Sequence, residues 1–121
     1  MIVRKAHVKI ESYKFGNIVI NGQEYTTDVI IYHDRVDASW WRNEEHRLIP
    51  EDVKDILDAQ PDILIIGTGY AGVLIVPKEI AGHIASLGIE VRIEKTSRAV
   101  ELYNSFLGTK KYAIAALHLT C

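Results

Sequence analysis

The sequence predicts a single α/β domain over residues 1–121, with helices packed on a central mixed or parallel sheet and N-terminal hairpins attached as an extra β layer. Three observations lead there. Residues 8–41 read as short strands broken by turn dipeptides, whereas the chain beyond Pro50 alternates helical and strand periodicity. The run Ile63–Ile66 is apolar throughout, as expected of a strand covered on both faces. With 121 residues and a hydrophobic fraction of 48%, the chain is long enough to bury one core and too short for two ordinary domains.

From Val8 to Tyr25 the strands are divided at Gly16-Asn17 and at Asn21-Gly22, the latter among the strongest hairpin dipeptides. Val29–Tyr32 is a further strand, Val36–Trp41 continues the meander, and Arg42–Arg47 is a polar loop. Pro50, at a first helical position with Glu51 and Asp52 beside it, opens a helix that puts Val53, Ile56 and Leu57 on one face and runs to about Ala59. Pro61 stops it. After Ile63–Ile66 and a glycine turn, the β-branched run Val73–Val76 suits an extended segment that serves the core or a subunit interface. Pro77 then starts a helix with Ile80, Ile84 and Leu87 on one face and Gly88 as its stop. Ile89–Glu94 alternates apolar and charged residues, which predicts a strand with one wet face or an edge position. Thr96 or Ser97 caps a third helix ending at Gly108, and Tyr112–Leu119 is the last strand.

The formal charge of -2 arises from 16 acidic and 14 basic residues mixed along the chain, so no bulk field favours nucleic acid or anionic lipid. No stretch is apolar enough for membrane insertion, and the N-terminal residues lack the apolar core of a signal peptide. A soluble cytoplasmic protein, monomeric or weakly dimeric, is expected. The lone Cys121 forms no intramolecular disulfide and supplies no metal framework.

The string Gly67, Gly69, Gly72 has the G-x-G-x-x-G spacing of a dinucleotide site, but that chemistry needs a helix to begin inside the turn, facing its free N–H groups to pyrophosphate. Here Val73–Val76 follows the glycines, so the turn reads as a backbone device. An anion pocket between Gly67, Thr68, Gly69 and the segment Lys95, Thr96, Ser97, Arg98 is a separate candidate, because both would follow neighbouring parallel strands. Its alternative is a plain helix cap with solvated bases. Trp40, Trp41, Arg42 and His46 form an aromatic and polar cluster of the kind that dominates partner interfaces. In the alternative one indole seals the β layer and the other is half exposed. Adjacent Glu44, Glu45 and His46 do not converge as metal ligands, and no metal is expected. His118 and Cys121 point to opposite faces of a strand, so a nucleophile pair would need the chain to bend. His7, His33 and His83 are scattered singly, and spacing isolates no acid/base pair among Asp28, Asp34, Asp37 and the glutamates.

The series SWWR at Ser39–Arg42, His46, PEDVKDIL at Pro50–Leu57, LIIGTG at Leu64–Gly69, VP at Val76–Pro77, GIEVRIEKTSRAVELYN at Gly88–Asn104 and HLTC at His118–Cys121 resembles one small domain family. It is the family shared by the adipogenesis-associated protein and mitochondrial complex I assembly factor 3, with archaeal and bacterial relatives. The resemblance implies a three-layer α/β fold with a central mixed sheet of about five strands and an added β layer. It implies no reaction, cofactor or catalytic residue. It leaves Trp41, Arg42, Gly67, Gly69 and His118–Cys121 as motif positions without roles. The resulting expectation is a non-catalytic accessory, interaction or assembly protein with an unknown protein partner. The alternative is a small-molecule binder or enzyme at the Gly67–Gly69 turn and the Thr96–Arg98 helix start.

Overall fold

The computed structural model describes residues 8–121; His7 and the N-terminal residues before it lie outside that range. Strands β1 (Ile10–Lys14), β2 (Asn17–Ile20) and β3 (Gln23–Tyr25) form an antiparallel sheet in chain order. The β2–β3 turn is Asn21-Gly22, both with positive φ of 49° and 80°, the pairing that a two-residue primed turn requires. A second, five-stranded sheet has the order β5-β4-β8-β6-β7, with β4 (Val29–Ile31), β5 (Val36–Asp37), β6 (Ile63–Gly67), β7 (Glu90–Glu94) and β8 (Ala113–Leu117). In it β6, β7 and β8 run parallel while β4 and β5 are antiparallel to their neighbours, which makes the sheet mixed.

The period of two along each central strand divides the core. Ile63 and Ile65 of β6, Ala113, Ala115 and Leu117 of β8, and Val29 and Ile31 of β4 face one cluster, which also takes Ile10, Ile18 and Ile20 of the small sheet and Ala99, Val100 and Tyr103 of helix α3 (Thr96–Ser105). Leu64, Ile66, Ile114, Ala116 and Ile30 face the other, beneath α1 (Lys54–Asp58) and α2 (Lys78–Ser86). The result is a central five-stranded sheet between helices on one side and α3 with the extra β layer on the other. Asn104 of α3 fastens that layer: its Oδ1 accepts from Ile10 N at 3.1 Å and its Nδ2 donates to Ile10 O at 2.7 Å, copying a strand partner.

Two local outcomes differ from the sequence reading. The helix opened by Pro50 is a 3-10 turn over Pro50–Val53 before α1 begins, with Asp52 Oδ2 accepting the Ile49 N–H at 2.8 Å. Only Val36–Asp37 of the predicted Val36–Trp41 strand is paired, with β4. Val73–Val76 is divided between core and surface: Leu74 is buried, Val73 and Ile75 are exposed, and Ile75 makes one isolated bridge to Arg47. β7 takes the predicted edge position. Among the described residues no helix is long and apolar enough to cross a membrane.

Candidate functional site

The antiparallel register of β4 and β8 pairs Val29 with Leu117, so the residue before one strand meets the residue after the other. Asp28 and His118, 90 positions apart, are thereby brought together, with Asp28 Oδ2 2.8 Å from His118 Nδ1. Arg42 reaches the same oxygen from the loop between β5 and the 3-10 turn, its Nη2 at 2.8 Å. Asp28 Oδ1 accepts the Leu119 N–H at 2.7 Å. Because Oδ2 is an acceptor facing two donors, Nδ1 of His118 carries a proton. The 3.1 Å approach of Arg42 Nη2 to Nδ1 is then two donors converging on one carboxylate.

The cluster is largely dry: side-chain exposure is 4% for Arg42, 15% for Asp28 and 3% for His118. Burial by itself would raise the Asp28 carboxyl, but the hydrogen bonds from His118, the Leu119 amide and Arg42, with the charge of His118, outweigh it and hold the pKa below the ordinary carboxylate value. Tyr13, whose hydroxyl donates to Leu119 O at 2.7 Å, is pushed up to about 12, chiefly by burial.

Arg42 also organises its own loop. It donates to Glu45 O at 3.2 Å and Trp40 O at 3.4 Å, and its guanidinium lies 4.6 Å from the centre of the Trp40 ring. Trp40 is buried and donates from Nε1 to Asp52 O at 3.0 Å. Trp41, by contrast, is 71% exposed. The pair divides as one sealing and one outward indole, and the sealed one closes the layer of α1 and α2, not the β layer. Beside them lies a cleft of about 380 Å³ whose walls include Thr27, Asp28, Trp41, Arg42, Asn43 and His118.

His46 packs edge to face on His118 with ring centres 5.7 Å apart. Nε2 of each is buried without a hydrogen-bond partner among the described residues. An Asp-His pair with a free Nε2 is the orienting half of a general-base triad. Here that Nε2 is buried without a hydrogen-bond partner among the described residues and the ring packs against His46, while Asp28 and His118 both contribute to the wall of the cleft. No hydrogen bond joins His118 to Cys121, whose thiol-bearing side chain is exposed. Among the described residues no group of three or more His, Cys, Asp or Glu could hold a metal ion.

The parallel pairing of β6 with β7 does bring Gly67–Gly69 to the start of α3, as the sequence suggested. Contact there is made by Thr96, fully buried, whose Oγ1 accepts the Gly69 N–H at 2.8 Å and donates to His118 O at 2.6 Å. Thr96 is therefore a cross-brace and not the helix cap expected of it; Lys95 occupies the N-cap without a side-chain bond. Four further turn amides are taken by the chain itself: Thr68 N bonds Glu94 O at 2.9 Å, Tyr70 N bonds Thr120 O at 2.6 Å, and Ala71 N and Val73 N both bond Cys121 O at 3.1 Å. Gly69, at φ +108°, lies so close that a Cβ there would sit 2.3 Å from the Cys121 carbonyl carbon. A Cβ on Gly67 would sit 2.8 Å from both Leu117 Cδ2 and Thr96 Oγ1. The amides of Thr68, Gly69, Tyr70, Ala71 and Val73 are thus occupied within the chain, and Gly67 and Gly69 serve close approach. Lys95, Ser97 and Arg98 are exposed, Arg98 beside Glu101 at 3.3 Å.

In the sequence Arg42 and His46 stand in one candidate cluster and His118 in another, and Asp28, the residue that joins Arg42 to His118, is not selected. Its available signal was slight: a carboxylate directly ahead of the apolar run Val29–Ile31.

Comparison with known proteins places this architecture. A family model described as "Protein of unknown function (DUF498/DUF598)" matches residues 10–118. A conserved hypothetical protein from Pyrococcus horikoshii is 32% identical with a TM-score of 0.80, the match covering 93% of this chain and 99% of that one. A Bartonella henselae protein described as an outer membrane protein is 20% identical with a TM-score of 0.80, covering 96% and 98%. A Bordetella pertussis protein described as a Mth938-like domain is 16% identical with a TM-score of 0.67, covering 93% and 85%. The last two, at such identities, speak to fold alone. The family model spans both ends of the Asp28–Arg42–His118 cluster, and the chain belongs to this DUF498/DUF598 family, the one shared with the adipogenesis-associated protein and complex I assembly factor 3.

Proposed function

We propose that this protein is a non-catalytic accessory factor that docks a protein partner through the face around Trp41. What carries the reading is the exposure of Trp41 on a loop that Arg42 fixes from below. Large aromatic side chains held rigid at the surface lose little entropy on binding and are the usual anchors of interfaces. Four more apolar residues, Phe15, Tyr70, Val73 and Ile75, are exposed on segments bonded to the same tail and loop: Gly16 N to Leu119 O, Tyr70 N to Thr120 O, Val73 N to Cys121 O, and Ile75 N to His46 O. Phe15 and Tyr70 stack edge to face at 5.9 Å. Grouped exposed apolar side chains rimmed by polar ones mark interaction surfaces. In this reading Trp41 touches the partner, while Trp40, Arg42 and His46 position it.

The test compares proteins captured from an extract of the source cells by wild type, Trp41→Ala, Tyr70→Ala and, as a control on the β7 edge, Ile93→Ala. A hot-spot tryptophan contributes at least about 2 kcal/mol, so a true partner should bind Trp41→Ala about 30-fold more weakly. It should bind the control as it binds wild type. An identical captured set on all four proteins would sink the proposal.

A further inference from the structure

A second surface lies at the other end of the sheet. Trp41 shares its cleft with His118 and Thr120, just past the C-terminal end of β8, whereas Pro61 precedes β6 and Ile89 precedes β7, and both of these line a groove of about 810 Å³. The groove runs between the helical segment Pro50–Asp58 and α2. Its apolar wall is Val53, Leu57, Ile80, Leu87 and Ile89, with Leu87 exposed and Leu57 partly so. The cause is geometric. On the opposite side of the sheet the ten-residue α3 and a whole three-stranded sheet cover the core, while on this side two short helical segments share the work. A layer fills best with an element of the same kind, and between two helices on a sheet that element is a third helix.

Charge selects what kind of helix. Glu51, Asp58 and Glu79 line the groove, are exposed, and form no ion pair among the described residues. Lys54 is the one lysine or arginine lining it, and the imidazole of His83 is the other basic group. Three carboxylates against one ammonium disfavour fatty acids and anionic headgroups and favour lysine or arginine at the rim. We infer that the groove between Pro50–Asp58 and α2 binds an amphipathic helix with a basic polar face, supplied by a protein other than this chain.

The probes are two synthetic helices of 14 residues with the same leucine face, one carrying lysines and one glutamates on the polar face. Decanoate serves as a third probe. Binding is followed by methyl NMR of the isotope-labelled protein at Ile80, Leu87, Ile89 and Leu57. The lysine helix should give saturable shifts confined to these methyls and bind at least about tenfold tighter than the glutamate helix, the sum expected of three exposed ion pairs. High salt should erase most of that preference. Glu51→Lys/Glu79→Lys should reverse it, and Leu87→Asp, at an exposed site that leaves the core intact, should weaken both helices. Failure of both helices to shift these methyls, or equal affinity for the two, overturns the proposal. So does a response to decanoate alone, which would assign the groove to a small apolar ligand, or shifts that depend only on protein concentration, which would assign it to a second copy. None of these readouts involves Trp41, so the result is independent of the proposed function.

Discussion

Replacing Asp28 by Asn changes one oxygen for an NH₂ group at nearly constant volume, and the structure sets how much that should cost. Oδ2 accepts from Arg42 at 2.8 Å and from His118 at 2.8 Å, and Oδ1 accepts from Leu119 N at 2.7 Å. Asparagine can keep one of these positions as an acceptor; at the other it presents a donor to donors. The more serious loss is charge. The Arg42 side chain is 4% exposed and would keep its positive charge with no counter-ion. Removing one partner of a buried pair costs about 3–5 kcal/mol. Because Asp28 is 15% exposed and Arg42 retains two carbonyl acceptors, the lower end, about 3 kcal/mol, is expected. For a chain of this size that corresponds to a fall in Tm of roughly 12 °C.

Urea unfolding followed by circular dichroism measures the cost, and a cycle with Arg42→Met separates the pair from its surroundings. The double variant should be less destabilised than the sum of the singles by at least about 2 kcal/mol, since it removes both charges. The pH dependence gives a further check with a definite sign. The folded Asp28 carboxyl has a lowered pKa, so protons bind the unfolded chain first. Its contribution is complete above the unfolded value near 3.9 and is lost as pH falls through the folded value. The gap between wild type and Asp28→Asn should therefore narrow as pH falls below about 4. A cost under about 1 kcal/mol, additivity in the cycle, or a gap that does not narrow in acid would refute the claim that this ion pair anchors the loop.

Three other predictions concern the glycine turn. Thr96→Val removes an oxygen that serves Gly69 N and His118 O at once and should cost about 2–4 kcal/mol by leaving two buried groups unpaired. Gly69→Ala should be at least as severe, because φ is +108° and the new Cβ would meet the Cys121 carbonyl at 2.3 Å; thermal melts of both variants decide it. Since the amides of Thr68, Gly69, Tyr70 and Ala71 are bonded internally, titration with inorganic phosphate, AMP or NAD to millimolar levels should leave their backbone amide signals unmoved. Saturable shifts there, shared with Thr96–Arg98, would restore the anion pocket.

Features whose cause is local were legible in the sequence. The Asn21-Gly22 turn, the fully buried Ile63–Ile66 run, the charged alternation of edge strand β7 and the stop at Gly88 all follow from residues within a few positions of one another, whereas α3 ends at Ser105, short of Gly108. The 3-10 start at Pro50 was less so. It rests on whether Asp52 folds back to the Ile49 N–H, and proline with two acids beside it suits either helical form. Thr96 shows the other kind of failure. Its position at a helix start reads as a cap, but its hydroxyl is claimed by groups 27 residues behind and 22 ahead, and such a claim has no local signature.

The candidate site belongs wholly to that second kind. Arg42 and His118 stand out by residue type, yet what makes them a unit is Asp28, and Asp28 acquires its role only because β4 pairs antiparallel to β8 and places it opposite His118. The same register explains how a buried network and an exposed indole come to share one loop. Asp28 holds Arg42 inward, Arg42 holds the Trp40 and Glu45 carbonyls and lies against the Trp40 ring, and the next side chain in sequence, Trp41, is left facing solvent. A loop with free charges and two loosely held indoles would collapse its apolar surface onto the nearest groove. Fixing one indole through a desolvated ion pair keeps the other displayed, which is a reason for the chain to retain a buried charge cluster whose own net stabilisation, against an apolar replacement, is small.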